Sequence, residues 1–214
     1  MQTKLKNLTR KTAIILMALQ GLATMGCTPS LTLQTQVELP VPLTAEMPLS
    51  VAVHYSEAFR NYAYTENSDD RANWNIQCGA SQVVVFDRVL SALFATVVQV
   101  DGTSYQGGHP PDMIFVPEVE DMQFALPQET HTDLYEAWIK YRIMVYYPDG
   151  QPIGVWPVSG YGKTSTELFK GRDEGLNIAI NAAFRDIGAK VTLGFAQSDV
   201  FKQWQGGRPA GLQP

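Results

Sequence analysis

Residues 135–147 alternate without a break. Tyr135, Ala137, Ile139, Tyr141, Ile143, Val145 and Tyr147 share one parity, and Glu136, Trp138, Lys140, Arg142, Met144 and Tyr146 fill the other. Successive side chains of a strand point to opposite faces, so this run predicts one long strand with an apolar core face and a mixed outer face. A strand of that kind needs a sheet covered on one side only. Pro148-Asp149-Gly150-Gln151 then reads as a turn, because proline presets φ and glycine accepts a positive φ. The chain returns over residues 153–160 as the second arm of a hairpin. Pro157 has no N–H to donate, which places that arm at an edge or a bulge.

The cover for this sheet is legible elsewhere. Phe86, Val89, Leu90, Leu93, Phe94 and Val97 recur at helical spacing, which predicts an amphipathic helix over about 82–96 with Ser81 as its cap. The β-branched run Val83-Val84-Val85 would also suit a strand. A second helix over about 173–191 carries the stripe Leu176, Ala179, Ile180, Ala183, Phe184, Ile187 and Val191, and residues 199–205 suggest a short third one. Leu49, Val51, Val53 and Tyr55 alternate as a strand. Shorter strands are expected near 32–38, 74–78 and 97–101, and residues 113–126 look extended with Pro117 at a bulge or an edge. Residues 102–112 are a loop by composition. The fold class expected is α+β, with a small, mainly antiparallel sheet and two amphipathic helices packed on one face.

The first 26 residues are set apart from this domain. Lys4, Lys6, Arg10 and Lys11 precede the apolar run of residues 13–19, with no acidic residue among them. A cationic flank, a short apolar run and small residues before a cleavage point form a secretory signal. The run is too short and too interrupted by Gln20 and Gly21 to span a bilayer. Thr24-Met25-Gly26-Cys27 resembles the lipobox of bacterial lipoproteins, although Thr24 stands where leucine is usual. The resemblance implies cleavage after Gly26 and acylation of Cys27 through its sulfur. Thr28, rather than Asp, implies sorting to the outer membrane with the domain facing the periplasm. The organisation expected is a signal peptide over 1–26, a lipidated tether over 27–47, one domain over 48–205 and a flexible tail over 206–214.

Charge and cysteine content exclude several functions. Four of the 16 basic residues and none of the 21 acidic ones lie in the signal, leaving 12 against 21, a net charge of −9. Nucleic acid is a poor partner for such a chain, since phosphates need clustered Lys and Arg. With Cys27 acylated, Cys78 has no partner for a disulfide in the same chain and is expected to be buried. His54, His109 and His131 show no metal-ligand spacing, and Glu118, Glu120 and Asp121 lack a calcium-loop pattern. Gly160-Tyr161-Gly162-Lys163-Thr164 suggests a phosphate loop. The glycine required five positions before Gly-Lys-Thr is Pro157 here, so the stretch reads as a loop at the end of a hairpin. No catalytic motif is present, and neither a cofactor nor a nucleotide is expected.

The order strand, helix, long antiparallel strands, helix over residues 48–191 resembles the small lipoprotein domains that assist envelope machines. These are the lipopolysaccharide-assembly lipoprotein LptE, the auxiliary lipoproteins of lipid-exporting ABC systems and the N-terminal domain of TolB. The resemblance is one of topology and carries over no functional residue. It implies a non-catalytic accessory subunit in outer-membrane assembly or transport, with an envelope protein as partner. Trp138, Met144, Tyr146 and Trp156 are the candidate contacts, because Tyr, Trp and Met are enriched in binding patches. A carrier of a lipid or other apolar ligand, and an envelope hydrolase using Cys78 or paired carboxylates, are the alternatives.

Overall fold

The computed structural model describes residues 30–35, 37, 40–67, 73–167 and 171–207. Gly26, Cys27, the signal and residues 208–214 lie outside the described residues. The chain forms β1 (Ser30–Gln34), β2 (Met47–Val53), the single turn α1 (Glu57–Arg60), β3 (Ala63–Glu66) and β4 (Asn73–Gln77). It continues with α2 (Gly79–Leu93), β5 (Phe94–Gln99), β6 (Met113–Ala125) and the short turn α3 (Pro127–Thr130). The last elements are β7 (Leu134–Tyr146), β8 (Pro152–Ser165), α4 (Arg172–Gly194), a 3-10 turn (Phe195–Gln197) and α5 (Asp199–Gly207).

The strands build two sheets, one ordered β1-β4-β3 and the other β5-β2-β6-β7-β8. Both are mixed. β1–β4, β2–β5 and β2–β6 are parallel pairs, while β3–β4, β6–β7 and β7–β8 are antiparallel. The small, mainly antiparallel sheet expected from sequence is corrected accordingly. Parallel partners need a crossover, and none is visible in the local alternation of such short strands. Here residues 100–112 carry the chain from β5 past β2 to β6, over the outer face of the sheet. Pro117 sits just past Phe115, the last β6 residue paired with β2, where no β2 backbone needs its N–H. A bulge at Glu120 then shifts the β6–β7 register between Val119 and Asp121.

β7 follows its sequence pattern. Tyr135, Ala137, Ile139, Tyr141, Ile143 and Val145 are all buried. Gly150 closes the turn to β8 at φ 91°, in the left-handed region that glycine occupies without a Cβ clash. α2 differs from its expected bounds. Phe94 leaves the helix in extended conformation, and its ring packs on Phe115 and Phe195 at 5.6 and 5.2 Å. Core packing therefore ends the helix before Val97, which joins β5. Ser81 does not cap α2. The N-cap is Cys78, and the Ser81 hydroxyl instead donates to Thr35 O at 2.7 Å.

A polar pin crosses the core. Tyr141 and Gln82 are both fully buried, and the Tyr141 hydroxyl donates to Gln82 Oε1 at 2.9 Å. Gln82 Nε2 donates to Phe59 O at 2.5 Å. Strand β7, helix α2 and turn α1 are thus joined by bonds that engage both ends of the buried Gln82 amide.

α4 lies against β8 through glycine. A Cβ on Gly162 would fall 2.0 Å from Ala179 O, and one on Gly160 would fall 2.4 Å from Ala183 O. The stretch read as a loop is therefore the C-terminal part of an edge strand, and its glycines let the helix backbone approach the sheet. Gly162→Ala is expected to destabilise the fold by about 1–3 kcal/mol through overpacking. Gly108→Ala, which meets nothing within 4 Å, should stay within about 0.5 kcal/mol. Urea denaturation of the two variants checks this.

Candidate functional site

Because α2 and α4 cover the core face, the opposite face of the long hairpin is turned outward. Register fixes its residues. Trp138 pairs with Tyr161, Lys140 with Ser159, Arg142 with Pro157 and Met144 with Val155. On the β6 side the same rows continue through Gln123, Asp121, Glu118 and Val116. One end of this face is covered. Ala52, Ile114 and Val116 are buried there, beneath Val100, Tyr105, Met144 and Tyr146. The crossover segment is held in place by Tyr105 N–H, which donates to Pro148 O at 2.8 Å.

The other end is open. Trp138 is 40% exposed and Tyr161 37%. The Trp138 and Tyr161 rings meet with centroids 5.1 Å apart. The Tyr161 hydroxyl donates to Glu136 Oε1 at 2.5 Å, a bond that raises the phenol above its usual 10.0. Two cross-strand ion pairs flank the rings, Lys140–Glu120 at 3.2 Å and Arg142–Glu118 at 3.5 Å. A shallow depression of about 260 Å³ opens between Asp121, Gln123, Trp138, Lys140 and Ser159. The result is a flat aromatic patch with charged flanks.

The free edge of β8 is blocked to a further strand in its centre. Tyr161 N–H donates to Asp186 Oδ2 at 2.9 Å, and Lys190 Nζ donates to Ser159 O at 2.7 Å. Pro157 in the same row has no N–H. Side chains of α4 thus occupy two of the groups that strand addition would use. A partner can dock on the face of this hairpin, while the ladder along its edge is interrupted over residues 157–161.

The four candidate contacts separate in space. Trp138 lies exposed on the outer face. Met144 and Tyr146 share that face but are half-buried beside Tyr105. Trp156 belongs to the core face, where its ring meets Phe195 at 5.6 Å. Val155 is exposed but lies in the Met144 row, toward the covered end. Tyr161 completes the open patch, and a reading of 160–164 as loop hides it. A strand-period count carried on to Ser165 would have found it.

Between the five-stranded sheet and its helices the aromatic core packs closely. The gap bounded by Phe86, Leu90, Phe94, Phe115, Trp156 and Phe195 has no room for a water molecule. Cys78 lies within this core, 1% exposed and 3.8 Å from Met122 Sδ. Among the described residues no three His, Cys, Asp or Glu side chains are grouped to hold a metal ion. Glu118 and Glu120 are engaged by Arg142 and Lys140, and Asp121 by Gln123 at 2.7 Å. Among the described residues no helix is long and apolar enough to cross a membrane.

Neither a protein-family model nor a curated protein sequence matches this chain. Its fold is similar to that of a DUF330-family protein from Xanthomonas campestris, with a TM-score of 0.50 at 12% identity, covering 82% of this chain and 99% of that one. A minor lipoprotein from Acinetobacter baumannii aligns at a TM-score of 0.31 and 11% identity, covering 69% and 93% of the two chains.

Burial pushes the Cys78 thiol up from its usual 9.0 to about 12. Alkylation of the native protein at pH 8 should therefore be undetectable on a timescale that labels the denatured chain fully. The sign for stability follows. The folded form holds the thiol proton more tightly than the unfolded chain, so this contribution is complete below about 9 and is lost as pH rises toward 12. Denaturation midpoints of the native chain and a Cys78→Ser variant, measured from pH 8 to 11, should converge as pH rises.

Proposed function

We propose that this chain is a non-catalytic envelope lipoprotein, held at the outer membrane through acylated Cys27, and that it serves as an accessory subunit in assembly or transport. The N-terminal signal and the Gly26-Cys27 step support the address. The observation that carries the role is the exposed Trp138–Tyr161 pair on a sheet face whose neighbouring edge is already blocked in its centre. Aromatic side chains exposed on a rigid strand pair offer contact area at little entropic cost, and flanking charges offer register and specificity. An envelope protein with a complementary apolar surface is the partner this face suits.

The alternatives have less support. A carrier of an apolar ligand needs space between sheet and helices, and the aromatic gap under α2 and α4 has no room for a water molecule. A thiol hydrolase needs an activated nucleophile beside a base, and Cys78 is buried with its thiol held protonated.

Native mass spectrometry on the protein extracted gently from its own envelope tests the reading. One stoichiometric protein partner is expected. The Trp138→Ala, Tyr161→Ala double variant should weaken that complex by tenfold or more, as loss of a hot spot does. Its own stability should change by about 1 kcal/mol or less, the scale of an exposed cross-strand aromatic pair. Undiminished recovery of the complex with the double variant would contradict the assignment of this face.

A further inference from the structure

A lipoprotein anchored by 20 residues of flexible chain would roam. For such a tether the r.m.s. span is about 25 Å, and the domain could turn any side to the bilayer. The structure sets a five-residue strand near the start of that tether. β1 begins at Ser30, and its five residues pair in parallel with β4, from Ser30 opposite Asn73 to Gln34 opposite Gln77. Leu33 is 8% exposed and belongs to the main core. Thr35 locks the end of the strand. Its N–H donates to Gln77 O at 3.2 Å, its hydroxyl lies 2.9 Å from Gln77 O and 2.8 Å from Ser81 Oγ, and Ser81 Oγ donates to Thr35 O at 2.7 Å. This explains why Ser81 faces β1 rather than capping its own helix.

Whatever path residues 28 and 29 take, three peptide steps separate Cys27 from Ser30, a reach of about 11 Å at most. The headgroup layer of one leaflet is itself about 5–8 Å deep. We infer that β1 is a short leash which sets the Ser30/Asn73 end of the three-stranded sheet against the bilayer surface, so that the domain is held in one orientation and not on a free tether. The inference rests on the reading of Cys27 as the acylated residue. Direction follows from the strands. β1 and β4 both run away from the anchor, so Gln34 and Gln77 are the distal end. The same sheet meets the five-stranded one at Phe124, whose ring lies 5.2 Å from Trp74 and 5.5 Å from Tyr64. Phe124 pairs with Ala137, so the turn beyond Tyr146 lies about 30 Å farther along β7 at strand rise.

The test uses the full acylated chain, purified after processing and bound to phosphatidylcholine vesicles that contain a lipid with a nitroxide on its headgroup. A fluorophore is attached at Thr32→Cys, exposed on β1, or at Gln151→Cys, exposed at the β7–β8 turn. Buried Cys78 does not compete for the label. We expect quenching at position 32 to be at least threefold stronger than at 151. A 20-residue Gly/Ser insert between Cys27 and Ser30 should make the two positions alike. Equal quenching at native spacing, in protein that carries acyl groups by intact mass and stays on the vesicles, would overturn the leash while leaving the anchor intact. Absence of acyl mass and of vesicle binding would overturn the anchor, and the leash with it.

Discussion

The close contact of α4 with the glycines of β8 decides which side of this protein is free to act. Gly160 and Gly162 point toward the helix because they share parity with buried Val158 and Thr164. With no Cβ at either position, the carbonyls of Ala179 and Ala183 settle onto the strand, and Leu176, Ile180, Phe184 and Ile187 fill the space over β7. Burial of those apolar side chains at about 25 cal/mol per Å² drives the layer together. Once the helix is there, parity commits Trp138, Lys140, Arg142 and Tyr161 to the opposite face. The same helix reaches around the edge with Asp186 and Lys190. One packing arrangement thus covers the core, exposes the aromatic patch and blocks the centre of the strand edge.

The sequence yields the parts of the fold that its periodicity encodes locally. β7 matches the alternation of 135–147 to within a residue, and the stripe of α4 is buried as its spacing predicts, because both elements are long enough for the period to be unambiguous. Parallel pairing of β2 with β5 and β6 is a non-local choice, made by a crossover that local periodicity does not show. Phe94 illustrates the same limit. Its spacing fits the helix, yet its ring fits better between Phe115 and Phe195, and tertiary packing prevails over local pattern.

Two misplacements in the candidate site have definite causes. Gly160-Tyr161-Gly162 reads as a loop when glycine is taken as a breaker, whereas alternate glycines in an edge strand mark a backbone brought close to it. Trp156 moves to the core because of a bulge. Tyr146 pairs with Pro152, and an unbroken register from there would set Trp156 opposite Arg142 on the outer face. The irregularity between Val145 and Tyr146 sets it opposite Ile143 instead. A one-residue slip exchanges faces, and nothing in the turn sequence announces it. Trp138 needed no such information, since its face follows from β7 alone.

In the account proposed here, lipid supplies location, β1 supplies orientation and the outer face of the hairpin supplies contact. The most direct test of the last and central claim is site-specific photocrosslinking in intact cells. A benzophenone side chain replaces Tyr161 on the patch or, as the control, Val84, which is 45% exposed on α2. The account predicts one discrete crosslinked protein from position 161 and none from position 84. A crosslink from 84 with none from 161 would show that the partner docks on the helical side and would contradict it.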